Sequence, residues 1–428
     1  MIEFPDISTL VPEEHRLANG RMLYAFPSAS TELVKIDFLY EAGTAYQLQK
    51  LVSSAANNLY TVASEEMDAQ RLSEFFDYRG IIVDNNSDVL HCSSSFYTLH
   101  RHLDALVPVL EGLVHRPAFP EEELKVFKNK RRQELLSLRQ RSSEVARRLF
   151  YSSLFGEEHP LGRYADPEDA ERLNVDVVRK FYEEYHRGGD MDIIVSGKID
   201  DKLLASIDSA FGHDRPSQNI SRIQSLDVST FITHHSSLNV HHSSLNTKQS
   251  IPGSVQATVR VGRILPLRWD DPDYASFMIL TTLLGGYFGS RLMSNLREDK
   301  GYTYGIYART QVYRGVIVFF ITADVAAHAV DDAEKEIFVE LQRLVDEPVS
   351  EEELELVKMV LAGDFIRSVD GVFERAARFG DMLGTQVTEL LTDNLRAALA
   401  DVTPQQLQQL AARYLQNDQL CVCRAGAV

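Results

Sequence analysis

Between Lys50 and Ser64 the apolar residues Leu51, Val52, Ala55, Ala56, Leu59, Tyr60 and Ala63 recur at three- and four-residue steps, which predicts a helix with one buried face. Before it, Arg21–Phe26 and Glu32–Tyr40 alternate apolar and polar positions and read as two strands joined by Pro27-Ser28-Ala29-Ser30. After it, helical spacing runs from about Glu65 to Tyr78 and stops at Gly80, where a left-handed cap is expected. Ile81–Val83, the turn signal Asn85-Asn86-Ser87-Asp88 and Val89–Tyr97 predict a hairpin. Helical text returns at Leu99–Val114. A long helix is predicted from Pro120 to about Phe155, its acidic first turn matching the helix dipole, and a further helix over Pro167–His186. Met191–Ser196 then reads as a strand ending at Gly197.

The same sequence of patterns occurs twice. LVHRPAFPEEELKVFK, with Glu121-Glu122-Glu123-Leu124, returns as LVDEPVSEEELELVK, with Glu351-Glu352-Glu353-Leu354, 230 residues on. Helix–Gly80–strand–turn–strand returns at Gly301, 221 residues on, with its turn at Tyr313-Arg314-Gly315. VDVVRKFYEEYHRGGDMDIIVSG resembles VTPQQLQQLAARYLQNDQLCVCRAG at the chain's end. Three matches in one order imply one α+β unit used twice, each copy an antiparallel sheet with helices packed on it, in a clam-like chain. The first unit is read as residues 1–213 and the second as 253–428. Residues 214–252 are polar, lack apolar periodicity and are read as a linker. Inside that linker His234-His235-Ser236-Ser237-Leu238-Asn239 is repeated as His241-His242-Ser243-Ser244-Leu245-Asn246. No thiol or carboxylate accompanies the paired histidines, so a tandem duplication is favoured over a metal site.

Composition narrows the function. The 428 residues carry 62 acidic and 44 basic side chains, a net charge of −18, which argues against nucleic acid as a partner and fits basic or unfolded peptide segments. The three cysteines, Cys92, Cys421 and Cys423, form no metal-ligand grouping. Cys421 and Cys423 alternate with Val422 and read as small core residues on one strand face. The start lacks a basic and then apolar leader, and no apolar run is long enough to cross a membrane. The expected location is therefore cytoplasmic, with no membrane span.

The chemistry-bearing text lies in the second half, DDPDYASFMILTTLLGGYFGSRLMSNLREDKGYTYGIYA. Asp273-Tyr274, Leu284-Gly285-Gly286, Ser290-Arg291-Leu292 and Leu296-Arg297-Glu298, leading to Gly301 and Tyr304, resemble the pitrilysin/insulinase family of zinc peptidases in its processing-peptidase-like branch. Phe155-Gly156 with His159-Pro160-Leu161-Gly162-Arg163, and the Phe181–Gly197 segment, extend the resemblance over nearly the whole chain. The family's His-x-x-Glu-His helix falls on Lys50–Tyr60, with Ser53, Ala56 and Asn57 in place of the two imidazoles and the base, while its glutamate ligand falls on Glu134. Neutral hydroxyl and carboxamide oxygens are poor zinc donors, and Ala56 cannot take a proton from water. The resemblance therefore implies a chain with no metal and no catalytic residues of its own, in which Glu134 is an ordinary helix residue. It further implies that Arg297 and Tyr304, seven residues apart, hold a substrate peptide, that Gly285 and Gly286 leave room for one, and that zinc resides in a homologous partner subunit of a heterodimeric endopeptidase. Two alternatives stand beside this: a purely structural member, like a respiratory core subunit, and an independent protein with an unrelated site.

Overall fold

The computed structural model describes residues 11–213 and 246–428. The first half runs β1 Glu13–Arg16, β2 Met22–Pro27, β3 Leu33–Tyr40, α1 Val52–Leu59, α2 Ala69–Arg79, β4 Ile82–Ser87, β5 Cys92–Leu99, α3 Leu103–His115, α4 Glu121–Leu138, α5 Ser142–Phe155, α6 Pro167–Glu171, α7 Val175–Phe181, β6 Met191–Gly197 and α8 Asp201–Phe211. The second runs β7 Asn246–Ser250, β8 Gln256–Leu265, α9 Pro272–Gly285, β9 Thr303–Tyr313, β10 Val316–Ala326, α10 Val330–Asp346, α11 Glu351–Ser368, α12 Val372–Thr385, α13 Leu390–Asp401, α14 Pro404–Tyr414 and β11 Cys421–Gly426. Gly80 sits at φ 62°, the left-handed cap its position required.

The repeat is a repeat of fold. One sheet is ordered β1-β2-β6-β3-β5-β4 and the other β7-β11-β8-β10-β9. From β2 and β7 onward the two match strand for strand. Each opens with one parallel pair, β2 with β6 and β7 with β11, and continues antiparallel, so the sheets are mixed rather than wholly antiparallel. β7 lies in text read from its polarity as linker. It is an exposed edge strand held by backbone pairing to β11, so side-chain polarity concealed it. Only Asn246 of the duplicated HHSSLN text falls within the described residues.

The predicted helix from Pro120 to Phe155 is two helices. The backbone leaves helical geometry at Arg141, φ −92° and ψ 115°, between α4 and α5. The break redirects α5 out of its own half. Phe150, Tyr151, Leu154 and Phe155 pack with Val316, Val318, Cys421 and Cys423 of the second sheet. The counterpart is α12, beginning 230 residues after α5, at Val372 against Ser142. Val372 and Ala376 pack on Phe26 and Ile194 of the first sheet. Each half thus lends the other a helix, and the two halves share buried apolar surface, the largest favourable contribution to their cohesion. Arg314, at the β9–β10 turn, adds an ion pair to Glu41 at 2.9 Å across the seam. The helix predicted over Pro167–His186 is likewise divided into α6, α7 and a π-helical turn at Tyr182–Arg187.

Candidate functional site

Helix α1 carries the positions where a metal would be held. Ser53, Ala56 and Asn57 are all completely buried against β4 and β5. The Ser53 hydroxyl donates to the Ala42 carbonyl at 2.7 Å and lies 3.3 Å from the Cys92 sulfur. The Asn57 amide donates to the carbonyls of Asn86 at 2.9 Å and Ser93 at 3.0 Å. Its oxygen accepts from Ser94, whose hydroxyl also reaches Asn85 at 2.6 Å. These bonds satisfy the Ser53 and Asn57 side chains, so helix and hairpin are locked together where a metal site would stand open. Burial raises the Cys92 thiol to about 12, making it an inert neighbour and not a thiolate ligand.

Glu134 points elsewhere. It is on α4, about half exposed, and pairs with Arg131 one turn away at 2.8 Å. Among the described residues no group of three or more histidine, cysteine, aspartate or glutamate side chains is arranged to hold a metal ion. The two helices therefore offer one carboxylate in solvent, on α4, and two neutral groups already engaged, on α1, a donor set that does not fit zinc.

The remaining motif residues divide into two groups. Most are engaged internally. Arg163 donates to the carbonyls of Thr44 and Gln47, tying down the loop before α1. Arg291 grips Glu353 through two bonds of 2.8 and 2.7 Å, joining the end of α9 to α11. Asp273 accepts from Arg413 and from the Tyr414 hydroxyl at 2.8 Å each, and the Tyr274 hydroxyl meets Thr310 at 3.1 Å. Gly285 ends α9 where a Cβ would come within 2.5 Å of the Ala308 nitrogen, and at Gly286 one would meet Thr282 at the same distance. At Gly285 helix and strand approach too closely for a side chain, and at Gly286 one would meet the last turn of α9 itself, so both glycines are used in close packing.

Arg297 and Tyr304 form the other group. Arg297 stands on a π-helical turn at Met293–Asp299, its guanidinium 4.6 Å from the Phe288 ring, with no hydrogen bond or ion pair among the described residues. Tyr304 lies on β9, the edge strand of its sheet, and is 87% exposed. Phe288 and Tyr307 stand out beside them, 59% and 47% exposed. Sequence reasoning missed this aromatic flank, for which the only signal was Tyr287-Phe288 inside the glycine-rich stretch. The chain also encloses a cavity of about 650 Å³ between its halves, lined by Lys35, Asp37 and Ser95 on one side and Tyr313 and Asp381 on the other. Neither Ser53 and Asn57 nor Arg297 and Tyr304 line it. Within one chain the two candidate regions are not brought to a common pocket.

Residues 172–361, from the end of the first half to helix α11, match the family described as the peptidase M16 inactive domain. Over these residues the chain resembles the M16 peptidase family. The chain is 22% identical over 366 residues, 85% of each protein, to an uncharacterized zinc protease, YmxG, of Bacillus subtilis. Its fold superposes on a peptidase M16 inactive domain of Pseudomonas fluorescens with a TM-score of 0.80 and 18% identity, covering 97% of this chain and 98% of that one. A chain of complex III2 from Candida albicans is similar with a TM-score of 0.73 and 12% identity over 97% and 96% of the two chains. The chain therefore shares the M16 fold, with Ser53, Ala56 and Asn57 on its α1 helix.

Proposed function

We propose that the chain is the metal-free, substrate-binding subunit of a heteromeric zinc endopeptidase, presenting Arg297 and Tyr304 to a peptide held by a homologous, zinc-bearing partner. One observation carries the reading. Arg163, Arg291 and Tyr274 are used inside the chain, whereas among the described residues Arg297 and Tyr304 have no hydrogen-bond partner, Arg297 lying against the Phe288 ring and Tyr304 standing 87% exposed. A guanidinium grips peptide carbonyls in a fork, and a phenol donates to the oxygen that becomes negative in the tetrahedral intermediate. Neither group acts on its own, since the α1 positions supply no metal and no base. Zinc, bound on the partner, would supply the activated water.

The test is reconstitution with a zinc-bearing M16 subunit from the same source. Mixing should create endopeptidase activity that neither chain shows alone. Tyr304→Phe should lower kcat by about tenfold to a hundredfold with little change in KM, as expected for a donor used mainly in the transition state. Unchanged kinetics in Arg297→Ala and Tyr304→Phe mixtures would remove both assigned roles. The likeness to a complex III2 chain supports a second reading, a scaffolding member of a large assembly. Recovery of the native chain in such an assembly, without peptidase activity, would favour it.

A further inference from the structure

The cavity of about 650 Å³ between the halves has no part in the reading above, yet polar side chains face it without partners. His91 is one. It sits on the β4–β5 turn, is 7% exposed and lines the cavity, and among the described residues its imidazole has no hydrogen-bond or ion-pair partner. Burial lowers its pKa and keeps the ring neutral, so one of its nitrogens is an acceptor.

Asp381 is another. It lines the cavity from α12, the helix lent by the second half, and among the described residues its carboxylate has neither a hydrogen bond nor an ion pair. Burial and the charge of Asp88 hold its carboxyl above the usual range. Asp88, on the same turn as His91, accepts through Oδ1 from the backbone N–H groups of Leu90 and His91 at 2.7 Å each, and its Oδ2 has no partner among the described residues. The cations on the wall are engaged elsewhere: Lys35 with Asp37, Arg131 with Glu134, Arg147 with Glu144, and Arg163 with backbone carbonyls. Arg314, beside His91, pairs with Glu41, and Arg378, beside Asp381, turns to Thr392. Two like charges facing one space, with no cation free to stand between them, favour the entry of one.

The space exists because α12 faces the cavity with Ala376, Ala377, Gly380 and Gly384. At Gly384 a Cβ would come within 3.2 Å of His91 Nδ1. The volume is that of a small-molecule site, and away from the polar groups the wall turns apolar at Leu39, Leu161 and Ile194. A bare metal ion does not match it: among the described residues no three histidine, cysteine, aspartate or glutamate side chains are arranged to hold one. A primary ammonium does match, since it has three N–H donors and no acceptor, against the acceptors of Asp381, Asp88 and His91.

We propose that the cavity between the halves is a binding site for a small organic amine, its ammonium held by Asp381, Asp88 and His91 and its carbon skeleton lying against Leu39, Leu161 and Ile194. Asp88 and His91 belong to the first half and Asp381 to the second, so the bound amine bridges the seam and stabilises the docked halves.

Benzylamine is the probe, added to the full chain, with benzyltrimethylammonium as a control of equal charge and no N–H donors. Calorimetry should show one benzylamine per chain, with the quaternary analogue at least about tenfold weaker. Binding should raise Tm in proportion to occupancy and slow amide exchange both at the turn carrying Asp88 and His91 and along α12. Asp381→Asn should weaken binding by about tenfold or more while the chain folds as before, because the Asp381 side chain makes no bond that the fold uses. Ala377→Leu, which narrows the cavity without touching a polar anchor, should weaken it as well. Absence of binding at millimolar benzylamine, equal binding of the quaternary analogue, an equal Tm shift with magnesium chloride, or undiminished binding in both variants would overturn the proposal. Every readout is taken on this chain alone, so its outcome is independent of the peptidase role proposed above.

Discussion

His186 is buried on the π-helical turn with its ring stacked on Tyr182 at 5.0 Å and tilted against Tyr40 at 4.8 Å, and among the described residues neither ring nitrogen has a hydrogen-bond partner. Burial lowers its pKa to about 3. In the unfolded chain an imidazole titrates near 6.5. As pH falls below that value the unfolded state takes a proton that the folded state refuses, so stability declines, at about 1.4 kcal/mol per pH unit down toward the folded value. Urea unfolding at pH 6.5 and pH 5 should show His186→Phe losing about 2 kcal/mol less than the unsubstituted chain; an equal loss in both would refute the neutral, desolvated imidazole. Sequence reading placed this residue at a helix end and nothing more, because burial is a property of neighbours far along the chain. By contrast the replacement of two imidazoles by Ser53 and Asn57 was legible at once. What the sequence did not show is that both are enclosed and bonded to the β4–β5 hairpin.

At the scale of elements, the repeat predicted most of the molecule. The pairs α4 and α11, and α5 and α12, have equal lengths and one common spacing. The division of the Pro120–Phe155 helix was hidden, because Arg139-Gln140-Arg141 contains neither glycine nor proline and is compatible with a helix locally. What breaks it is the apolar face of α5, which buries its aromatic residues on the opposite sheet. The glycines at the end of α9 show the complementary case. Gly285 reads equally as a helix break or as room for a ligand, and only the closeness of β9 chooses. Gly285→Ala should therefore destabilise the fold by about 1–3 kcal/mol, since its Cβ would press on strand backbone, and should leave any reconstituted KM unchanged. A stable variant with a raised KM would restore the peptide-binding role.

For the whole molecule, Arg297 and Tyr304 do not line the cavity between the halves, which agrees with the proposal that they meet a peptide held at another chain. The proposed role predicts that the purified chain, dialysed against zinc and then buffer, retains well under one equivalent by elemental analysis. Tight stoichiometric zinc that Ser53→Ala and Asn57→Ala abolish would contradict it. The sequence by itself determined the repeated α+β unit, the family resemblance and the neutral side chains on the α1 helix, because periodicity, motif order and donor type are written locally. Tertiary structure alone decided which motif residues are spent on folding and which remain outward. It also decided the exchange of α5 and α12 between halves and the pairing of Arg260 with Cys423 across β8 and β11. These depend on packing between segments more than a hundred residues apart, whose free energy no single stretch of the chain contains.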